Sequence, residues 1–344
     1  MAKVVVIGAG MMGTACSSHL IRTGHQVNLW GTELDGDIID LLRQRGIHKT
    51  LHVSVPPGIK FFQADELEKA MDKREIVIMA VTSYAIGKIA KKVVPFLKEG
   101  VFIINVAKGI PPSPYLTLCD LIESLIPSSL SKKVRVIGMG GPARASELVR
   151  KISTEVIFGA KDERTAEYCS RITRSPKFKT SATSDVTGVE LCAAMKNAYA
   201  IFIGMCHGLS EKLKISMDNT KAALMGQAIL EMSRIIIPYG GKLETVMGQA
   251  GVGDLYVTIQ GGRNGSFGKL LGQGMDVKEA MEKMKDQTVE GYIATRGMYR
   301  LAKDLEEKSI ISIKDDLPLF NELYSVLYGG KSPAKAIEDY FNKV

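Results

Sequence analysis

Residues 3–13 read KVVVIGAGMMG and residues 26–30 read QVNLW, with a helix-forming stretch to about Thr23 between them. Lys3–Ile7 is a short β-branched run bounded by glycine, the pattern of a strand buried on both faces. Strand, G-x-G-x-x-G, helix and second strand within about 30 residues make up the fingerprint of a dinucleotide-binding unit. Each glycine has its own reason. Gly8 allows the tight turn, Gly10 lets the backbone approach a pyrophosphate, and Gly13 lets the helix pack on the strand. Met11 and Met12 open that helix, whose N-terminus faces the phosphates.

Glu33 lies twenty residues past Gly13, just beyond the second strand. At that spacing an acid hydrogen-bonds the adenosine ribose and disfavours a 2′-phosphate. ELDGDIIDLL also reads as helical, which offers a second role for Glu33 as a first-turn acid behind a Thr32 cap. The expected cofactor is NAD, with NADP left open.

Strand signals recur at 75–81 (EIVIMAV), 101–106 (VFIINV), 134–139 (VRVIGM), 154–160 (TEVIFGA) and 178–183 (FKTSAT), with helical stretches between several of them. This alternation predicts a doubly wound, mostly parallel α/β sheet whose ligands bind outside the carboxyl ends of the strands. Two strands end in marked chemistry. Lys108, flanked by Ala107 and Gly109, has room to point into the crevice or into solvent. Gly141 and Pro142, followed by Ala143, Arg144 and Ala145, open a turn before a helix whose amides face either an anion or nothing in particular.

After Asp185 the pattern changes, and the domain boundary is placed there: 1–185 for the nucleotide-binding domain, 186–344 for a helical one. Helices are expected around Lys196 and at 219–239, 277–285, 292–307 and 317–327. GVELCAAMKNAYAIFIGMC (188–206) is its centre, because between Leu191 and Ser210 the only formal charge is Lys196. A helix apolar on nearly every side, dense in alanine and glycine, belongs in a core where backbones approach closely. Lys196 is then either desolvated, and so able to exchange a proton near neutrality, or snorkelling past the helix edge. Residues 250–268 (AGVGDLYVTIQGGRNGSFG) interrupt the helical pattern with glycine, which points to close backbone approach to a ligand or to a plain surface loop. Arg263 there offers a planar fork for phosphate, with Asn264 beside it.

The 344 residues are 45% apolar and 24% charged, ordinary values for a globular protein. A net charge of +8 comes without an extended basic block or a nucleic-acid motif, so no nucleic-acid partner is expected. Cys16, Cys119, Cys169, Cys192 and Cys206 include no C-x-x-C and leave one over, which argues for buried free thiols and no metal site. No membrane span or signal-peptide pattern is read, so a cytoplasmic location is expected, and a homodimer on the frequency of two-fold assemblies.

Taken in order, GAGMMG, Trp30, AKG (107–109), GPARASE (141–147), ELCAAMKNAYAI (190–201), GVGDLYVT with GGRN (251–264) and VEG (289–291) resemble the successive motifs of the NAD(P)-dependent sn-glycerol-3-phosphate dehydrogenases. The resemblance spans nearly the whole chain. It implies a Rossmann domain followed by an all-helical domain like that of 6-phosphogluconate dehydrogenase. It implies Lys196 as catalytic acid/base, substrate contacts from Lys108, Gly141, Ala143, Asn197, Asp254, Thr258, Arg263 and Asn264, and cofactor contacts from Ala145, Glu290, Lys108 and Arg263 besides the glycine loop. The implied reaction is reversible hydride transfer between NAD(P)H and dihydroxyacetone phosphate, giving sn-glycerol 3-phosphate for glycerophospholipid synthesis. The chain departs from the usual pattern at Arg144, at Ile259, where a cysteine is usual, and at Gly262, where a serine is usual. Two other readings share parts of this pattern: a β-hydroxyacid or 6-phosphogluconate-type dehydrogenase, and a non-catalytic dinucleotide sensor.

Overall fold

The computed structural model describes residues 1–342. The chain divides into two compact units, one of Met1–Val186 and one beginning at Thr187. In the first, strands β1 (Lys3–Ile7), β2 (Gln26–Trp30), β3 (Ile47–His48), β4 (Val53–Ser54), β5 (Lys60–Phe62), β6 (Ile76–Met79), β7 (Phe102–Asn105), β8 (Arg135–Gly140), β9 (Thr154–Gly159) and β10 (Phe178–Thr183) alternate with helices. Those helices are α1 (Met11–Arg22), α2 (Gly36–Arg45), α3 (Leu67–Met71), α4 (Ile86–Val93), α5 (Leu118–Leu125), α6 (Ala145–Leu148) and α7 (Glu163–Thr173).

Eight strands form one sheet in the order β10-β9-β8-β7-β6-β1-β2-β5. All neighbours are parallel except β8 and β9, so β9 and β10 run against the rest. Strand β1 shows why its sequence is an unbroken apolar run. Val4 and Val6 join a cluster with Ala15, Cys16 and Leu20 of α1, whereas Val5 and Ile7 join one with Ile86, Ile89 and Val93 of α4. Side chains alternate between faces, and both faces are covered by helices. The order reverses at β1, with β2 and β5 to one side and β6 to the other, so the loop after β1 lies at the switch point where such sheets bind ligands.

Strand β5 and the β3–β4 hairpin are absent from the sequence reading. Both are short and only partly buried, so neither carries a run of apolar residues long enough to announce itself.

The second unit is helical: α8 (Val186–Leu213), α9 (Asp218–Ile236), α10 (Leu243–Met247), α11 (Asp254–Ile259), α12 (Arg263–Gln273), α13 (Val277–Lys283), α14 (Glu290–Glu307), α15 (Ile313–Asp316), α16 (Pro318–Gly329) and α17 (Pro333–Asn342). Helix α8 is long and apolar enough to cross a membrane, yet its most apolar window is entirely buried within the protein. It is a core helix.

The glycine-rich segment is not a loop. A π-helical turn at Gln249–Gly253 runs directly into α11, and only Gly261 and Gly262, with φ of +143° and +120°, break the chain before α12. Its last glycine, Gly268, and Gly272 one turn beyond it admit a neighbouring helix rather than a ligand. A Cβ on Gly268 would sit 2.0 Å from the carbonyl oxygen of Ile201, and one on Gly272 would sit 2.1 Å from that of Met205. Helices α8 and α12 thus touch backbone to backbone. Nearby, the fully buried Glu231 of α9 accepts hydrogen bonds from Tyr199, Gln227 and the amides of Leu319 and Phe320 at the start of α16. Burial pushes its carboxyl up to about 7 against these donors.

Candidate active site

The loop after β1 has the shape its glycines require. Gly8 adopts φ +105°, and a Cβ on Gly13 would lie 1.9 Å from the Gly8 carbonyl oxygen. In front of Gly10 there is open space, with nothing within 4 Å of where a Cβ would stand. Helix α1 has no side-chain cap and no acid in its first turn, so its leading amides, those of Met11 and Met12 among them, face outward unneutralised, as a pyrophosphate requires.

Two side chains that the sequence reading missed hold this loop. Asp35 accepts from the Ala9 amide at 3.2 Å and from the amide and hydroxyl of Thr32, both at 2.8 Å. His48 accepts from the amides of Thr50 and Leu51 on Nδ1, which leaves its proton on Nε2 to donate to the Ala9 carbonyl at 3.2 Å. Burial holds the His48 imidazole below its ordinary value, in the neutral form this arrangement needs. The link runs from a small hairpin 39 residues away, and no local pattern announces it.

Helix α2 begins at Gly36 and the Thr32 hydroxyl is bound to Asp35, so Thr32 does not cap it and Glu33 is not a first-turn acid. Glu33 stands in the turn after β2 with 52% of its side chain exposed, ion-paired with Lys92 of α4. The loops after β7 and β8 meet each other. Lys108 Nζ donates to the Gly141 carbonyl at 3.4 Å, and Gly141 itself has φ +113°. Ala143 and Ala145 are buried beside this turn, and α6 behind it is a single turn.

In the second unit Lys196 is buried on α8, which excludes the snorkelling alternative: its side chain is 6% exposed and ion-paired with Asp254, itself 1% exposed. Its ammonium also donates to the Thr258 hydroxyl at 2.7 Å, and that hydroxyl donates in turn to the Asp254 carbonyl at 2.6 Å. Burying an ammonium costs several kcal/mol unless a carboxylate and further hydrogen bonds offset it. Asp254 and Thr258, one helical turn apart on α11, provide both.

A second chain of contacts fixes the neighbouring amides. The Gly291 N–H donates to Asn264 Oδ1 at 2.9 Å, and Asn264 Nδ2 donates to Asn197 Oδ1 at 3.0 Å. Because a backbone N–H can only donate, both carboxamides are oriented by it. Asn197 Nδ2 is thereby turned away from Asn264, and it is buried without a hydrogen-bond partner among the described residues. Arg263 opens α12, whose first turn has neither a side-chain cap nor an acid. Its guanidinium is partly exposed and makes no hydrogen bond or ion pair among the described residues. Glu290 opens α14, one residue before the Gly291 amide that anchors the chain.

The five cysteines are free and buried, and burial pushes the Cys16 and Cys169 thiols up to about 12. These two stay protonated and inert.

Family models for the NAD-dependent glycerol-3-phosphate dehydrogenase N-terminus and C-terminus match residues 3–166 and 185–338. The chain belongs to this family. A glycerol-3-phosphate dehydrogenase, NAD(P)+, of Agathobacter rectalis is 34% identical over 98% of this chain and 95% of its own. An NADP(+)-dependent glycerol-3-phosphate dehydrogenase of Archaeoglobus fulgidus is 32% identical over 95% of each chain. The crystal structure of glycerol-3-phosphate dehydrogenase from Coxiella burnetii superposes with a TM-score of 0.83 at 26% identity, covering 99% of both chains. The match spans both units, including the lysine helix, so the hydroxyacid and sensor alternatives are not favoured. As a family member this protein is an NAD(P)-dependent oxidoreductase, and the glycine loop fits that cofactor class. At Gly262 φ is +120° and ψ 172°, a conformation only glycine enters easily.

Proposed function

We propose that this family member interconverts dihydroxyacetone phosphate and sn-glycerol 3-phosphate, with Lys196 as the proton donor and acceptor. The observation that carries the reading is the Asn197 amide: a buried, oriented and unpartnered donor, one residue from a buried ammonium. Native proteins seldom leave such a group unsatisfied unless a ligand completes it.

When bound, NAD(P)H supplies the hydride. As the ketone carbon is reduced its oxygen gains negative charge, and Lys196 stabilises that charge and gives up its proton to it. Asp254 and Thr258 hold the ammonium in place, and Asn197 Nδ2 is a donor for a substrate oxygen. Arg263, with the leading amides of α12, takes the phosphate. Asn264 acts mainly by orienting Asn197, since both ends of its carboxamide are engaged. In the first unit, Gly8, Gly10, Met11, Met12 and Gly13 hold the dinucleotide, Glu33 its ribose, and Lys108, Gly141, Ala143 and Ala145 line the same strand ends. Glu290 is proposed as a cofactor contact from the helical unit. A homodimer and a cytoplasmic location accompany this reading, and light scattering tests the first.

The deciding experiment is NADH and NADPH oxidation with dihydroxyacetone phosphate, dihydroxyacetone and methylmalonate semialdehyde, the oxidised form of 3-hydroxyisobutyrate, in parallel. Turnover of the phosphorylated ketone alone supports the proposal. Equal turnover without the phosphate, or turnover of the carboxylate substrate, refutes it.

A further inference from the structure

Glu33 is the one acid at the spacing expected for an adenosine ribose, yet the field around it is not acidic. Lys92 of α4 is ion-paired with it, and Lys88, one turn earlier on the same helix face, also acts on its carboxylate. Lys88 makes no hydrogen bond or ion pair among the described residues and is exposed. Helix α4 is fixed beneath by Ile86, Ile89, Ala90 and Val93, all 3% exposed or less, so both lysines project from a rigid base. The other acid of this turn, Asp35, is occupied by Ala9 and Thr32. One ammonium thus pairs with a carboxylate that stands half in solvent, and a second stands one turn away on the same helix face.

From this geometry we infer that Lys92, assisted by Lys88, is the site for a cofactor 2′-phosphate, with Glu33 as an exchangeable occupant. With NAD, Glu33 accepts from the ribose 2′-hydroxyl and keeps Lys92 paired. With NADP, the phosphate dianion replaces Glu33 on Lys92 and gains Lys88 as a second partner, while Glu33 turns to solvent. The basic group that admits the phosphate thus comes from the helix after β6 rather than from the turn after β2, where Thr32 and Glu33 offer none. The inference rests on the dinucleotide reading above.

Calorimetric titration of NAD+ and NADP+ into the wild-type protein, Lys92→Met, Lys88→Met and Glu33→Gln tests it without reference to activity. Lys92→Met should weaken NADP+ by up to about fivefold, the scale of one partly exposed charge pair, and leave NAD+ within about twofold. Lys88→Met should do the same more weakly, and Glu33→Gln should tighten NADP+. Added salt should weaken NADP+ more than NAD+. Melting curves confirm that these surface variants fold. If both dinucleotides bind the wild type and Lys92→Met alters them equally, or alters neither, the inference fails alone. If neither binds the wild type, the dinucleotide reading fails with it.

Discussion

Lys196 and Asp254 lie 58 residues apart in sequence and form an ion pair with almost no exposure of either side chain. The pair joins α8 to α11, and the same contact that would hold the catalytic proton also holds the helical unit together. Replacing either partner alone leaves an uncompensated buried charge, at a cost of roughly 3–5 kcal/mol.

Lys196→Met should therefore be both inactive and destabilised, and the two effects need separating. In Lys196→Met with Asp254→Asn no charge is left buried, so most of the stability should return. Turnover should stay down by at least the roughly 10² to 10⁴ that acid catalysis contributes. Steady-state kinetics and thermal melts on both variants check this. Near-wild-type turnover by either would remove Lys196 from the chemistry.

Arg263 separates phosphate binding from reduction. Arg263→Ala should lower kcat/KM for dihydroxyacetone phosphate by roughly 10² to 10⁴ and affect dihydroxyacetone far less. Arg263→Lys should recover only part of the loss, because a point charge cannot reproduce a planar two-pronged contact. An equal loss for both substrates, with dinucleotide affinity unchanged, would rule out the anchoring role.

The Glu231 carboxyl, lifted by burial from 4.5 to about 7, makes stability depend on pH. The folded state holds this proton more tightly than the unfolded one. Its contribution is fully present below about pH 4.5 and is lost as pH rises toward 7, by a few kcal/mol at most. His19 and His48, whose imidazoles desolvation holds low, act in the opposite sense, favouring the fold above pH 6.5 and losing that contribution as pH falls. Comparing melting temperatures of wild type and Glu231→Gln across this range isolates the glutamate. The variant should show the smaller decline toward pH 7, and parallel curves would contradict the assignment.

Glycines of the helical unit should divide sharply. Gly268→Ala would place a methyl group 2.0 Å from the Ile201 carbonyl, so α8 and α12 must separate or the domain must fail to fold. Gly226 is exposed within α9 with nothing within 4 Å of a Cβ. Gly226→Ala should stabilise by about 0.5–1 kcal/mol through helix propensity alone. Chemical denaturation of both variants tests the contrast, which would collapse if Gly268→Ala were tolerated as well as Gly226→Ala.

By itself the sequence determined the nucleotide-binding βαβ unit, most of the sheet's strands and the central lysine helix. Each is written in contiguous residues: KVVVI must be buried on both faces, GAGMMG must turn tightly, and a helix without a polar face must lie in a core. The tertiary structure decided what those elements meet. Nothing near Glu33 in sequence points to Lys92, 59 residues on, and nothing near Ala9 points to His48. Glycine in residues 250–268 has two physical meanings, freedom to bend and absence of a side chain. Only the packing of α12 against α8 shows that beyond the break at Gly261 and Gly262 the second governs. The free amide of Asn197 is likewise invisible in the sequence, because its direction is set by a backbone N–H at Gly291 through a third residue on another helix. Hydrogen-bond direction and charge pairing are properties of neighbours in space, which chain order does not specify.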